Sequence, residues 1–220
     1  MRIQLESAVA GSYAPTRIVL LPAAYTTPAD FIREGFLSAA RQRELAVDLA
    51  FVELNLQHVS DRTILRRLRH EAVLPARAVG CTAVWICGIS LGGFLALAYA
   101  ERYPTEVDGL CLLAPYLGNR IVTGEIERAP GLLAWEPGEL AADDDERRVW
   151  RFIKTQRERS LGLHLGFGSQ DRFAASHRMM AAALAPEAVD ERPGGHDWPV
   201  WRELWENFLD VRLRGVLLQT

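Results

Sequence analysis

The stretch 82–103 constrains the fold more than any other part of the chain. Thr82-Ala83-Val84-Trp85-Ile86-Cys87 runs directly into Gly88-Ile89-Ser90-Leu91-Gly92-Gly93, and a helix-like segment rich in small residues continues to Tyr103, before Pro104. An apolar run without period-two alternation is a strand covered on both faces, as in a parallel sheet. A strand that turns at once into a helix crowds the residues two before and two after the turning point. Gly88 and Gly92 stand at those positions and carry no side chain. The serine at the tip takes a strained conformation with its hydroxyl clear of the sheet. The helix that starts there aims free N–H groups and its positive dipole end at the same point.

The rest of the chain repeats this strand-then-helix unit. Strands are expected at 17–21 (closed by Pro22), 46–54, 107–114, 161–168 and 187–191. Helices are expected at 28–45, 61–74 (ended or kinked by Pro75), 145–157, 174–184 and 199–213. This alternation predicts an α/β fold, a mostly parallel central sheet with helices on both faces. A chain of 220 residues is one domain of ordinary size, which buries roughly 70% of its unfolded surface. The rhythm breaks only at about 116–144, where Gly118, Pro130, Gly131, Pro137 and Gly138 leave no clear period. That segment reads as a short, irregular, cap-like insertion, long enough to be functional.

Two further motifs follow late strands: Gly168-Ser169-Gln170-Asp171, and Gly194-Gly195-His196-Asp197-Trp198. With the turn around Ser90, they make the chain resemble the α/β-hydrolase family from about residue 17 to 213. The resemblance implies a Ser, Asp, His triad in that chain order, here Ser90, Asp171 and His196. Ser90 would attack an acyl carbonyl, His196 would carry the proton, and Asp171 would hold the imidazole tautomer. Capping of the following helix is a second role open to Asp171. The N–H of Leu91 would face the developing oxyanion, joined by one from the loop after the strand 17–21. Many family members have His-Gly in that loop. This chain has Leu21-Pro22-Ala23-Ala24-Tyr25, so Ala24 or Tyr25 is the expected second donor, and the Tyr25 phenol is a candidate substrate contact. Tyr116, Leu117, Leu133 and Trp135 of the insertion are the remaining candidates for an acyl pocket.

The implied activity is that of a carboxylesterase on a small or medium acyl ester. The same triad serves an acyl thioesterase or an acyltransferase, and the fold also hosts proteins that bind a ligand without turnover. Composition narrows the partners. With 25 basic and 28 acidic residues, the net charge of −3 gives no support to nucleic-acid binding. No apolar run reaches the roughly 18 residues of a membrane span. The start, Met1 to Glu6, lacks the layout of a signal peptide. Cys81, Cys87 and Cys111 lie in or beside apolar runs, which predicts buried, reduced thiols in a cytoplasmic protein. There is no metal-ligand spacing, phosphate loop or dinucleotide glycine pattern, so no cofactor and no metal are expected. Trp198, Trp201, Trp205, Phe208 and Leu209 fall at helical spacing and predict a core stripe, with Trp198 also placed to brace the His196 loop.

Overall fold

The structure is a computed structural model that describes residues 1–155 and 161–214. Its strands are β1 (Arg2–Glu6), β2 (Thr16–Leu21), β3 (Val47–Glu53), β4 (Ala83–Ile89), β5 (Gly109–Leu113), β6 (Gly162–Gly168) and β7 (Val189–Arg192). They form one seven-stranded sheet in the order β1-β3-β2-β4-β5-β6-β7. Every neighbouring pair is parallel except β1 with β3.

The apolar runs of the central strands are continuous because each of these strands feeds two cores. Val19 and Leu21 of β2 face one side with Val84 and Ile86 of β4, while Ile18 and Leu20 face the other with Cys87 and Ile89. The first core is covered by α4 (Ile64–Leu68), α5 (Leu74–Ala78), α6 (Leu91–Arg102), α8 (Asp145–Lys154) and α9 (Ala174–Ala181). The second is covered by α1 (Pro28–Arg33), α2 (Phe36–Gln42) and α10 (Trp198–Arg212). Val200, Trp201, Leu204, Trp205, Phe208 and Leu209 are the buried side of α10, as its spacing predicts. Cys81, Cys87 and Cys111 are free thiols and buried.

Several expected elements are refined. β1 was not anticipated: it is an exposed antiparallel edge strand that alternates polar and apolar residues instead of running apolar. The helix expected over 28–45 is two, divided at Gly35, whose φ of 88° no helix accommodates. The helix expected over 61–74 is α4 followed by a π-helical turn at Arg69–Val73, and Pro75 lies in the first turn of α5, where its missing N–H costs nothing. α3 (Leu56–Ser60) precedes it. α8 stops at Lys154, and positions 156–157 lie outside the described residues. The insertion is not wholly irregular. It contains α7 (Arg120–Arg128), capped by the Asn119 side chain, which accepts from the N–H groups of Ile121 and Val122, and it buries Val122 and Ile126 one turn apart.

His164 of β6 is 1% exposed, and among the described residues neither of its ring nitrogens has a hydrogen-bond partner. Burial pushes its pKa down from 6.5 to about 4; Asp190 opposes that fall, and Arg212 and Arg192 add to it. The folded state therefore resists a proton that the unfolded chain accepts. The stabilisation is complete above pH 6.5 and is lost as pH falls through about 4, in all about 3 kcal/mol. Urea unfolding of wild type and His164→Leu at pH 7 and pH 4.5 is expected to show a smaller acid loss in the variant. Equal losses would remove His164 from the acid limb of stability.

Candidate active site

Ser90, Asp171 and His196 lie just past the C-terminal ends of the parallel strands β4, β6 and β7. β4 ends at Ile89 and α6 begins at Leu91, so Ser90 alone makes the turn. Its φ of 51° and ψ of −111° lie outside the ordinary regions for a residue with a side chain. The turn is as tight as the sequence requires. A Cβ on Gly88 would strike the backbone of Gly92, and one on Gly92 would strike the carbonyl of Leu21 and lie 2.8 Å from that of Pro22. The Ser90 peptide is pinned on both sides. Its N–H donates to Leu113 O at 3.0 Å, and its carbonyl accepts from Tyr116 N at 2.9 Å.

Asp171 and His196 arrive from the loops after β6 and β7. Gln170 N–H donates to Gly194 O at 2.9 Å, which ties the two loops together. His196 Nε2 stands 3.0 Å from Ser90 Oγ, and its Nδ1 stands 2.6 Å from Asp171 Oδ2. Asp171 Oδ1 accepts from Phe173 N–H at 2.8 Å, so the carboxylate also organises the start of α9, though Phe173 rather than Asp171 is the cap residue. Burial raises the Asp171 carboxyl, but the hydrogen bonds from His196 and Phe173 hold it below the usual carboxylate range. The carboxylate is thus charged, out of solvent, and bonded to the imidazole.

Leu91 opens α6, and the Ala24–Tyr25 turn is closed by Thr26 N–H donating to Ala23 O at 3.2 Å. Among the described residues, nothing accepts from the N–H groups of Leu91, Ala24 or Tyr25. Tyr25 has a φ of 64° and its side chain is 90% exposed, so its phenol stands in solvent.

The pocket candidates divide. Leu117 and Trp135 are closed into the hydrophobic core at 1% and 3% exposure, so packing occupies both. Leu133 projects from the surface. Tyr116 lies beside the turn, but its hydroxyl donates to Glu146 Oε1 at 2.9 Å, which with burial pushes the phenol up to about 12. Two residues that sequence reasoning did not assign to the site touch His196. Phe173 lies edge-on at 5.4 Å and Trp201 at 5.0 Å between ring centroids. Trp201 rather than Trp198 braces the histidine, and Trp198 packs behind it at 5.1 Å.

A parallel sheet of this order, a strained serine between strand and helix, and a histidine and a carboxylate from the last two loops define an α/β-hydrolase of the serine type. The chain belongs to the family described as "Putative esterase", whose model matches residues 68–207, and it is an ester-hydrolysing enzyme. Solved structures share the fold at low identity. An S-formylglutathione hydrolase of Staphylococcus aureus matches with a TM-score of 0.63 at 10% identity over 90% of this chain and 81% of that one. A fluorophosphonate-binding serine hydrolase of the same organism gives 0.62 at 13% over 93% and 86%. A CIB-like hydrolase of Thermoplasma acidophilum gives 0.62 at 18% over 97% and 93%. No curated protein matches the sequence. Among the described residues, no helix is long and apolar enough to cross a membrane.

Proposed function

We propose that this chain is a carboxylesterase that cleaves small or medium acyl esters through a Ser90–His196–Asp171 triad and an acyl-enzyme. The observation that carries the reading is the hydrogen-bonded row from Asp171 Oδ2 through both His196 nitrogens to Ser90 Oγ, at 2.6 and 3.0 Å. Ser90 Oγ attacks the ester carbonyl as His196 Nε2 takes its proton, and buried Asp171 stabilises the imidazolium. The oxyanion forms against the Leu91 N–H and that of Ala24 or Tyr25. Each such donor is typically worth roughly 10²–10³ in rate. The imidazolium then protonates the leaving alcohol, and water, activated by the same histidine, releases the acid.

The small insertion favours an open site and a short acyl group. A p-nitrophenyl ester panel from acetate to palmitate, run beside matching thioesters, tests this. Turnover is expected to peak among the short and medium esters, with a rapid burst of about one nitrophenol per chain before the steady rate. A higher kcat/KM on thioesters would reassign the enzyme to thioester cleavage. Folded protein that neither turns over any ester nor takes a fluorophosphonate adduct would mean that the fold serves ligand binding here.

A further inference from the structure

We propose that His177 of α9 is a positioning residue, which keeps the Ser90 turn in register with the Asp171–His196 pair by fixing the carbonyl of Pro115. The inference rests on the triad reading above. His177 is fully buried, and its Nε2 lies 2.9 Å from Pro115 O. A carbonyl only accepts, so Nε2 carries the hydrogen and the neutral ring leaves Nδ1 bare. Among the described residues Nδ1 has no partner, and it is itself buried. Burial lowers the histidine's pKa, which keeps this single tautomer in place.

Pro115 is the centre of a short strap behind the nucleophile. Ala114, just before it, holds a φ of 48°, a conformation that a residue with a side chain keeps only when its surroundings enforce it. Ala114 N–H donates to Gly166 O at 2.7 Å. Pro115 packs on the helix that begins at the elbow, where a Cβ on Gly93 would lie 2.7 Å from Pro115 Cβ. Tyr116 N–H then holds the Ser90 carbonyl at 2.9 Å. A shift of the strap therefore moves the serine directly.

The other end of His177 leads to the acid. Its own N–H donates to Phe173 O at 3.0 Å, and Phe173 N–H holds Asp171. The Phe173 ring lies against both histidines, at 5.4 Å from His196 and 6.4 Å from His177. The contacts close a ring: Asp171, Phe173, His177, Pro115, Tyr116, Ser90, His196 and back to Asp171. Two side-chain hydrogen bonds join the nucleophile's half to the acid–base half: His196 to Ser90 at the reacting atoms, and His177 to Pro115 away from them. Misplacement of reacting groups by about 1 Å costs on the order of 10²-fold in rate, so the His177 bond acts on kcat and not on affinity.

Three variants separate positioning from packing. His177→Gln retains an amide donor at the reach of Nε2, His177→Asn carries the same group too short to reach, and His177→Leu removes it. Steady-state kinetics on one p-nitrophenyl ester, the rate of fluorophosphonate labelling and urea unfolding are measured on all three. Expected is a roughly 10- to 100-fold loss of kcat and of labelling rate in the Leu and Asn variants, with KM within about twofold. His177→Gln is expected to recover to within about threefold of wild type. Wild-type kcat in all three overturns the proposal. So does a Gln variant as impaired as the others, because the loss would then follow packing and not the hydrogen bond. If the Leu variant does not fold, the Gln and Asn pair makes the same comparison. Failure of the triad reading itself is distinguishable, because Ser90→Ala would then keep its rate.

Discussion

Replacing Ser90 with Ala is expected to lower kcat by about 10⁴-fold or more and to abolish labelling by a fluorophosphonate, with unfolding free energy changed by less than about 1 kcal/mol. The rate falls because the Oγ is the group that the turn presents to His196 Nε2, at 3.0 Å. Stability holds because that turn is fixed by backbone. Its N–H and carbonyl bonds to Leu113 and Tyr116, and the close approach of Gly88 to Gly92, involve no atom of the serine side chain. Alanine inherits the same strained φ, so no relief of strain masks the result. A variant that still turns over esters near the wild-type rate, as measured with a p-nitrophenyl substrate, would remove Ser90 from the mechanism.

The second large effect is at Asp171. Asp171→Asn is expected to cut kcat by about 10⁴-fold while leaving KM within a few-fold. The size follows from a tautomer and not from a lost contact. The carboxylate only accepts, so it keeps the proton on His196 Nδ1 and leaves Nε2 free to take the one from Ser90. An asparagine that turns its amide nitrogen toward Nδ1 reverses this and places the proton on Nε2, where the imidazole can no longer act as a base toward serine. The change is confined to that pair. Asp171 Oδ1 accepts from Phe173 N–H, and the amide oxygen can serve there. Because the native carboxyl sits below the usual range, it stays ionised down the acid side, and a wild-type rate that falls with acid reports a different group. A variant within tenfold of wild type would send the acid role elsewhere.

The parts of this fold that the sequence made plain are those in which one physical demand dominates. β2, β4 and β5 are buried on both faces, so each carries an apolar run (Ile18–Leu21 in β2) that stands out from any background. The Ser90 turn is legible because its glycines answer a steric demand that no other residue meets. Elements ruled by competing demands were lost. β1 has one half-covered face and a solvent edge, which leaves only an alternation over five residues. α7 holds itself by two buried side chains and an Asn cap, while Gly124 and the β-branched Ile121-Val122-Thr123 run blur its period. Long helices were read through Gly35 and the π-turn, because apolar spacing survives breaks in the backbone. Within the site, Ser90, Asp171 and His196 carry motifs in their own neighbours. Phe173, Trp201 and His177 do not; they matter through partners brought from distant segments, and no local pattern encodes that meeting.

The contact of Gly92 with the end of β2 has a consequence for how such a protein can vary. The helix that begins at the Ser90 turn rests on the carbonyls of Leu21 and Pro22, main chain against main chain. The loop that follows, Ala23-Ala24-Tyr25, is therefore anchored at its start by a main-chain joint, to which Ala23 adds one small side chain buried in the second core. Tyr25 is exposed, so exchange of its side chain leaves that frame untouched. On the proposed mechanism, the placement of the loop's N–H groups and the surface offered to a substrate then belong to separate parts of the molecule, and one can drift while the other stays constant.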